Sequence, residues 1–223
     1  MHIDDDLTRF AALGAPPLPP GARQGYIDHD GARIWYAAYG DGPAVILLHG
    51  GLGHSGNWGY QLPALRAAGY GVLLIDSRGH GRSTRDARPY RYDRMADDLL
   101  AVMAALQIPH AALAGWSDGA CVALIAAHQA PGQVDGVCAQ ELAAIRVPVT
   151  IVHSEHDEFI RAEHAAYLSR SIPGARLTTL PGVSHFAPLQ RPALFNRALL
   201  DFLADVMCRG RRKENGRQTA PKA

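Results

Sequence analysis

Three short stretches of this chain carry nearly unbroken apolar runs: AVILLH at 44–49, GVLLID at 71–76 and HAALAG at 110–115. A strand with one wet face alternates apolar and polar residues, whereas a continuous run of four or five is what a strand buried on both faces requires. VPVTIVHS (147–154) and ARLTTLP (175–181) continue the series. Helix-period segments separate them, at Tyr60–Ala68, Arg94–Leu106, Ala120–Gln129, Arg161–Ser171 and Ala193–Val206. Tyr26–His29 and Arg33–Tyr39 meet at Asp30-Gly31, a hairpin signal. Strands alternating with helices predict an α/β fold, a mostly parallel central sheet with helices on both faces. In such sheets function sits in the loops at the carboxyl ends of the strands.

At 223 residues the chain suits one domain of this kind. Residues 1–24 read as an N-terminal extension with a Pro-rich strap (APPLPPG), 25–208 as the core, and 209–223 as a basic tail expected to be disordered. That tail holds six basic residues and one acid, yet the net charge of the chain is only +1. A global field favouring nucleic acid is therefore excluded. No apolar run reaches the roughly 18 residues of a membrane span. Cys121, Cys138 and Cys208 have no metal-ligand spacing, and an odd count argues against a disulfide framework. With no secretion signal at the N-terminus, a reducing cytoplasm is the expected location. The pattern calls for no metal and no cofactor.

Three loops carry chemistry. Gly115-Trp116-Ser117-Asp118-Gly119 is a G-x-S-x-G motif between a strand pattern and a helix pattern, the context that makes it a nucleophile elbow. Ser117 is the expected nucleophile. His49-Gly50-Gly51-Leu52-Gly53 follows the first buried strand. An acyl-transfer site needs two backbone N–H donors aimed at the oxyanion. Asp118 supplies one and Gly51 the other, with Leu52 as the alternative. His49 is expected to hold this loop in shape. The third set is Asp157, just beyond VTIVHS, and His185, just beyond ARLTTLP. The base takes the serine proton, and a buried carboxylate fixes its tautomer. Glu155 and Glu158 are rival acids, and His153, His156 and His164 rival bases. Leu52, Trp116 and Asp118 flank the nucleophile and are expected to contact substrate.

Taken together, these motifs resemble the α/β-hydrolase superfamily. Asp76-Ser77-Arg78-Gly79-His80-Gly81-Arg82-Ser83 matches its D-x-R-G-x-G-x-S turn, a structural element. The resemblance covers about residues 25–206 and implies a serine hydrolase acting on small-molecule esters, lactones or amides through an acyl-enzyme, without a cofactor. Ser at the nucleophile position, where dehalogenases carry Asp, argues against dehalogenation. The GWSDG elbow is similar to that of the esterases grouped around valacyclovir hydrolase, which implies that Asp118 faces the pocket and receives a substrate's amino group. The competing reading gives Asp118 a helix-dipole role alone. One departure stands out. Members insert a helical cap before the strand that leads to the acid, but Asp157 follows Ser117 by only 40 positions. The cap is expected to be absent or minimal, the sixth strand damaged, and CAQELAAIR helical. An open groove with weak selectivity would follow. A catalytically impaired remnant acting as a binding module, and an acyltransferase or perhydrolase using the same serine, are the competing functions. Nothing in the sequence sets the oligomeric state.

Overall fold

The computed structural model describes residues 12–138 and 147–218. Six strands form one sheet in the order β1-β2-β4-β3-β5-β6. They are β1 (Arg23–His29), β2 (Ala32–Tyr39), β3 (Ala44–Leu48), β4 (Gly71–Ile75), β5 (Ala111–Gly115) and β6 (Val134–Cys138). The hairpin β1–β2 and the β2–β4 pair are antiparallel, and the β4–β3, β3–β5 and β5–β6 pairs are parallel. The helices are α1 (Gln61–Ala67), α2 (Tyr92–Ala105), α3 (Asp118–Gln129), α4 (Ala162–Ser171), α5 (Ala187–Gln190) and α6 (Pro192–Gln218).

The continuous apolar runs are explained by the two faces of the sheet. Along β3, Ile46 and Leu48 pack with α2 and α3, through Leu99, Met103 and Val122. Val45 and Leu47 point the other way and pack with Leu62 and Leu65 of α1 and Phe202 of α6. Successive strand residues alternate faces, and here both faces are covered, so no position is left for a polar residue.

The sheet is shorter than the sequence pattern implies. Strands β7 (Thr150–Ser154) and β8 (Arg176–Leu180) pair in parallel with each other, as a separate two-stranded sheet. The physical reason lies in β6. It reads Val-Asp-Gly-Val-Cys, and Asp and Gly are poor strand formers. Its register against β5 shifts between Ala111 and Ala112. A Cβ on Gly136 would lie 2.9 Å from both Phe202 and Val206, so α6 presses on this strand where a side chain would otherwise stand.

Only eight residues, 139–146, separate β6 from the chain leading to β7 and lie outside the described residues, too few for a helical cap. The helix expected over CAQELAAIR falls almost wholly there. At the other end, α6 continues to Gln218, through most of the segment expected to be disordered. Arg, Lys, Glu and Gln are good helix formers, and they extend a helix already anchored on the core. Among the described residues no helix is long and apolar enough to cross a membrane.

Candidate active site

The sharpest local feature is Ser117. It stands between β5 and α3 at φ 53° and ψ −122°, a region an L-residue occupies only under constraint. The constraint comes from the two glycines. A Cβ on Gly119 would run into the carbonyl oxygens of Leu48 and His49, and a Cβ on Gly115 would run into the Gly119 backbone. Because neither glycine has a side chain, β5, the turn and α3 close on one another. The Trp116 N–H donates to Leu48 O at 3.0 Å, which fixes the turn to the end of β3.

The loop after β3 lies against this turn. A Cβ on Gly50 would sit 3.0 Å from Ser117 Cβ, and one on Gly51 would sit 2.6 Å from Asp118 Oδ2. Gly51 and Asp118, the two residues expected to supply oxyanion donors, are thus neighbours. Leu52 takes φ 59° and is 99% exposed. His49 is buried, and burial holds its imidazole below the usual pKa of 6.5. Its Nε2 accepts the Ser77 N–H at 2.9 Å, so the proton resides on Nδ1, which donates to Gly50 O at 2.7 Å. His49 therefore ties the glycine loop to the Asp76–Ser83 turn. In that turn the buried Asp76 carboxylate accepts the N–H groups of Ser55 (2.7 Å) and Arg82 (2.9 Å). Arg78 is buried with Asp98 in a two-pronged pair at 2.7 and 2.9 Å.

Asp157 and His185 come together from the loops after β7 and β8. His185 Nδ1 lies 3.0 and 3.1 Å from the two carboxylate oxygens, with both side chains largely buried. Asp157 Oδ1 also accepts the N–H groups of Phe159 (2.9 Å) and Ile160 (2.7 Å). The rival acids are occupied elsewhere. Glu158 Oε2 accepts the His185 backbone N–H at 3.0 Å, and Glu155 Oε2 accepts the Gly182 N–H at 2.7 Å. Three carboxylates of one loop thus bind the next loop, two at its backbone and one at its imidazole. Of the rival bases, His164 lies on α4, His156 is exposed and His153 is buried at the end of β7.

Ser117, Trp116 and His185 line two adjoining cavities. One is an open groove of about 460 Å³, bordered also by Gly51, Leu52, Asp118 and Phe159. The other is a pocket of about 120 Å³ that also reaches Asp157 and β7. Asp118 Oδ1 accepts the Tyr92 hydroxyl at 2.9 Å, and burial together with this carboxylate pushes the phenol up to about 12. The Trp116 indole N–H donates to His185 O at 3.0 Å.

Sequence reasoning missed Phe159 and Phe186. Their rings lie 4.9 and 5.9 Å from the His185 ring, and Trp116 closes a third side at 6.1 Å. The signal was adjacency: Phe159 is two residues past the acid and Phe186 directly follows the histidine. Tyr92 had no comparable signal, because it comes from the far end of α2.

Comparison with known proteins agrees with this arrangement. A family profile described as the alpha/beta hydrolase fold matches residues 43–141, which span the glycine loop and the elbow. Human "Serine hydrolase BPHL" is 25% identical over 244 residues, covering 78% of this chain and 84% of that protein. The chain has the α/β-hydrolase fold. Other relatives match over less of their length. "Epoxide hydrolase B" of Mycobacterium tuberculosis is 39% identical over 98 residues, 43% of this chain and 28% of that protein. The CIB-like hydrolase of Thermoplasma acidophilum shares the fold with a TM-score of 0.76 at 22% identity, over 83% of this chain and 99% of that one. The human match extends over 244 residues yet takes in only 78% of this chain's 223, so the human protein carries a stretch that is missing here.

Proposed function

We propose that this α/β-hydrolase cleaves small-molecule carboxylic esters or lactones in the cytoplasm through an acyl-enzyme on Ser117, with His185 as base and Asp157 as the acid that orients it. The observation that carries this reading is the buried Asp157–His185 pair, which opens onto the same cavities as a serine held at positive φ.

In this mechanism Ser117 Oγ attacks the carbonyl carbon while its proton passes to His185 Nε2. The Asp118 and Gly51 N–H groups donate to the oxyanion, and the N-terminal end of α3 adds its partial positive charge. Collapse breaks the carbon–oxygen bond of the leaving group, which takes the proton from His185. Water then attacks the acyl-enzyme with His185 again as base. The new carbon–oxygen bond releases the acid, and Ser117 recovers its proton. Trp116 and Leu52 contact the substrate from the rim. Asp118 offers a carboxylate to a substrate ammonium, sharing it with Tyr92. No cofactor enters any step.

The detached β7–β8 pair favours one second reading, a folded but impaired hydrolase that serves as a binding module. A fluorophosphonate probe separates the two, because labelling requires an activated serine. Labelling and p-nitrophenyl ester turnover that vanish in Ser117→Ala and His185→Ala support the hydrolase. In a subtilisin triad each such loss costs about 10⁶-fold. An unlabelled wild-type protein, or a His185→Ala variant of wild-type rate, refutes it.

A further inference from the structure

The segment that carries His185 leaves two main-chain carbonyls outside its own ladder of hydrogen bonds. Helix α5 follows directly, and its backbone donors use the Phe186 and Ala187 oxygens: Leu189 and Gln190 donate to the first and Arg191 to the second. His185 O is passed over because the Leu189 N–H turns to Phe186 O at 2.8 Å. Residue 192, which would reach Pro188 O in a continuing helix, is a proline and has no N–H. Side chains from elsewhere take both carbonyls. The Trp116 indole N–H donates to His185 O at 3.0 Å, and the Gln61 amide Nε2 donates to Pro188 O at 2.8 Å. Gln61 and Pro188 are both buried, where a main-chain carbonyl needs such a partner.

The origin of the two donors matters. Trp116 immediately precedes the nucleophile, and Gln61 opens α1, the helix that follows the glycine loop. Asp157 and Glu158 hold His185 from within its own unit. Among the described residues β7 and β8 form a separate sheet, and the loops after them carry acid and base. The bonds from Asp157 to the imidazole and from Glu158 to the His185 N–H keep the base against the acid. They do not fix either against Ser117, which stands at the end of the six-stranded sheet. Gln61 lines neither cavity at Ser117, so a substrate contact does not account for it. Its Oε1 has no hydrogen-bond partner among the described residues. The amide therefore carries a burial cost that an aliphatic side chain of the same length would avoid.

We propose that Trp116 and Gln61 are positioning residues that clamp the His185–Pro188 segment at two points and so set the base in register with Ser117, separately from the bond that Asp157 makes. The proposal rests on the serine-hydrolase reading above. Asp157 fixes the tautomer and orientation of the imidazole, and the clamp fixes where the imidazole stands relative to the nucleophile and the glycine loop.

Two variants test this. Trp116→Phe keeps an aromatic ring and loses the N–H, and Gln61→Met keeps the length and loses the donor. Met also removes the unpartnered Oε1, so the fold should tolerate it. Fluorophosphonate labelling taken to completion counts the competent serines, and kcat/KM for p-nitrophenyl esters is expressed per labelled serine, so loss of folded protein does not enter. Misplacement by about 1 Å can cost on the order of 10²-fold in rate, and each variant should lose roughly ten- to a hundredfold. The loss should be the same for acetate, butanoate and octanoate esters, because alignment of the imidazole is common to all three, whereas a lost substrate contact would vary with chain length. The acid limb of the kcat/KM profile, which reports His185 in the free enzyme, should keep its midpoint, because the Asp157 bond is untouched. A loss of less than about tenfold in either variant, a loss that follows chain length, or a shifted acid limb would each overturn the proposal while Ser117-dependent labelling stands. A wild-type protein that neither labels nor turns over ester would instead remove the hydrolase reading, and this proposal with it.

Discussion

Asp157→Asn tests the triad most sharply, because the structure dictates how the new amide must sit. Asp157 Oδ1 accepts two backbone N–H groups, from Phe159 at 2.9 Å and Ile160 at 2.7 Å. An asparagine keeps those bonds only with its carbonyl oxygen in that place. Its NH₂ group then occupies the position of Oδ2, 3.0 Å from His185 Nδ1. A donor now competes at Nδ1 with the retained carbonyl oxygen, which is 3.1 Å away and already accepts two backbone N–H groups, and this favours the tautomer that accepts the amide and carries its proton on Nε2. A protonated Nε2 cannot take the serine proton. In a serine-protease triad the same exchange lowers kcat by about 10⁴ with the geometry intact. At 1.36 kcal/mol per tenfold, that is about 5.4 kcal/mol of barrier. The fold should be unharmed, since no buried donor loses its acceptor. Ester kinetics read the loss, and ¹⁵N spectra of the imidazole read the tautomer independently. Glu158→Gln serves as the contrast, for it keeps an acceptor for the His185 backbone N–H and should cost less than tenfold. An Asp157→Asn enzyme within tenfold of wild type, or one whose His185 keeps its proton on Nδ1, would refute the reasoning.

Asp118 should make amino-acid esters with a free amine better substrates than their N-acetyl forms by about 1.5–3 kcal/mol, the worth of a hydrogen bond to a charged group. Asp118→Asn should erase that preference, and equal rates for the two esters in the wild type would return Asp118 to a helix-dipole role. Tyr92, raised to about 12, should stay neutral well above pH 10 in an ultraviolet difference titration. Its contribution to stability is present below its unfolded pKa near 10 and is lost as pH climbs from there through 12. A phenol that titrates near 10 would show that the Asp118 contact does not form in solution. Because β7 and β8 form a separate two-stranded sheet among the described residues, and the loops after them carry Asp157 and His185, activity should fade at a lower temperature than circular dichroism. Coincident midpoints would mean that this pair melts with the rest of the core.

Local sequence was enough wherever one segment makes its own geometry. The unbroken runs of β3, β4 and β5 meant strands buried on both faces, and the structure covers both. Gly115 and Gly119 marked a turn that tolerates no Cβ, so the elbow was legible before any fold. What spacing could not convey was pairing. β6 has the length of a strand and joins β5, yet among the described residues no register pairs it with β7, and its Asp, its Gly and the pressure of α6 weaken that side. Hydrogen bonds between strands depend on both edges at once, and no single segment encodes both. The same holds for the groups gathered around His185. Phe159, Phe186 and Trp116 arrive from two loops and an elbow, and Tyr92 reaches Asp118 from α2. Local sequence therefore determined the chemistry available to this chain, because a serine elbow, a histidine and a carboxylate are each set by a few neighbouring residues. Tertiary structure decided which carboxylate meets the histidine and what surrounds the serine, because those contacts join segments far apart in the chain and form only when the helices and strands pack.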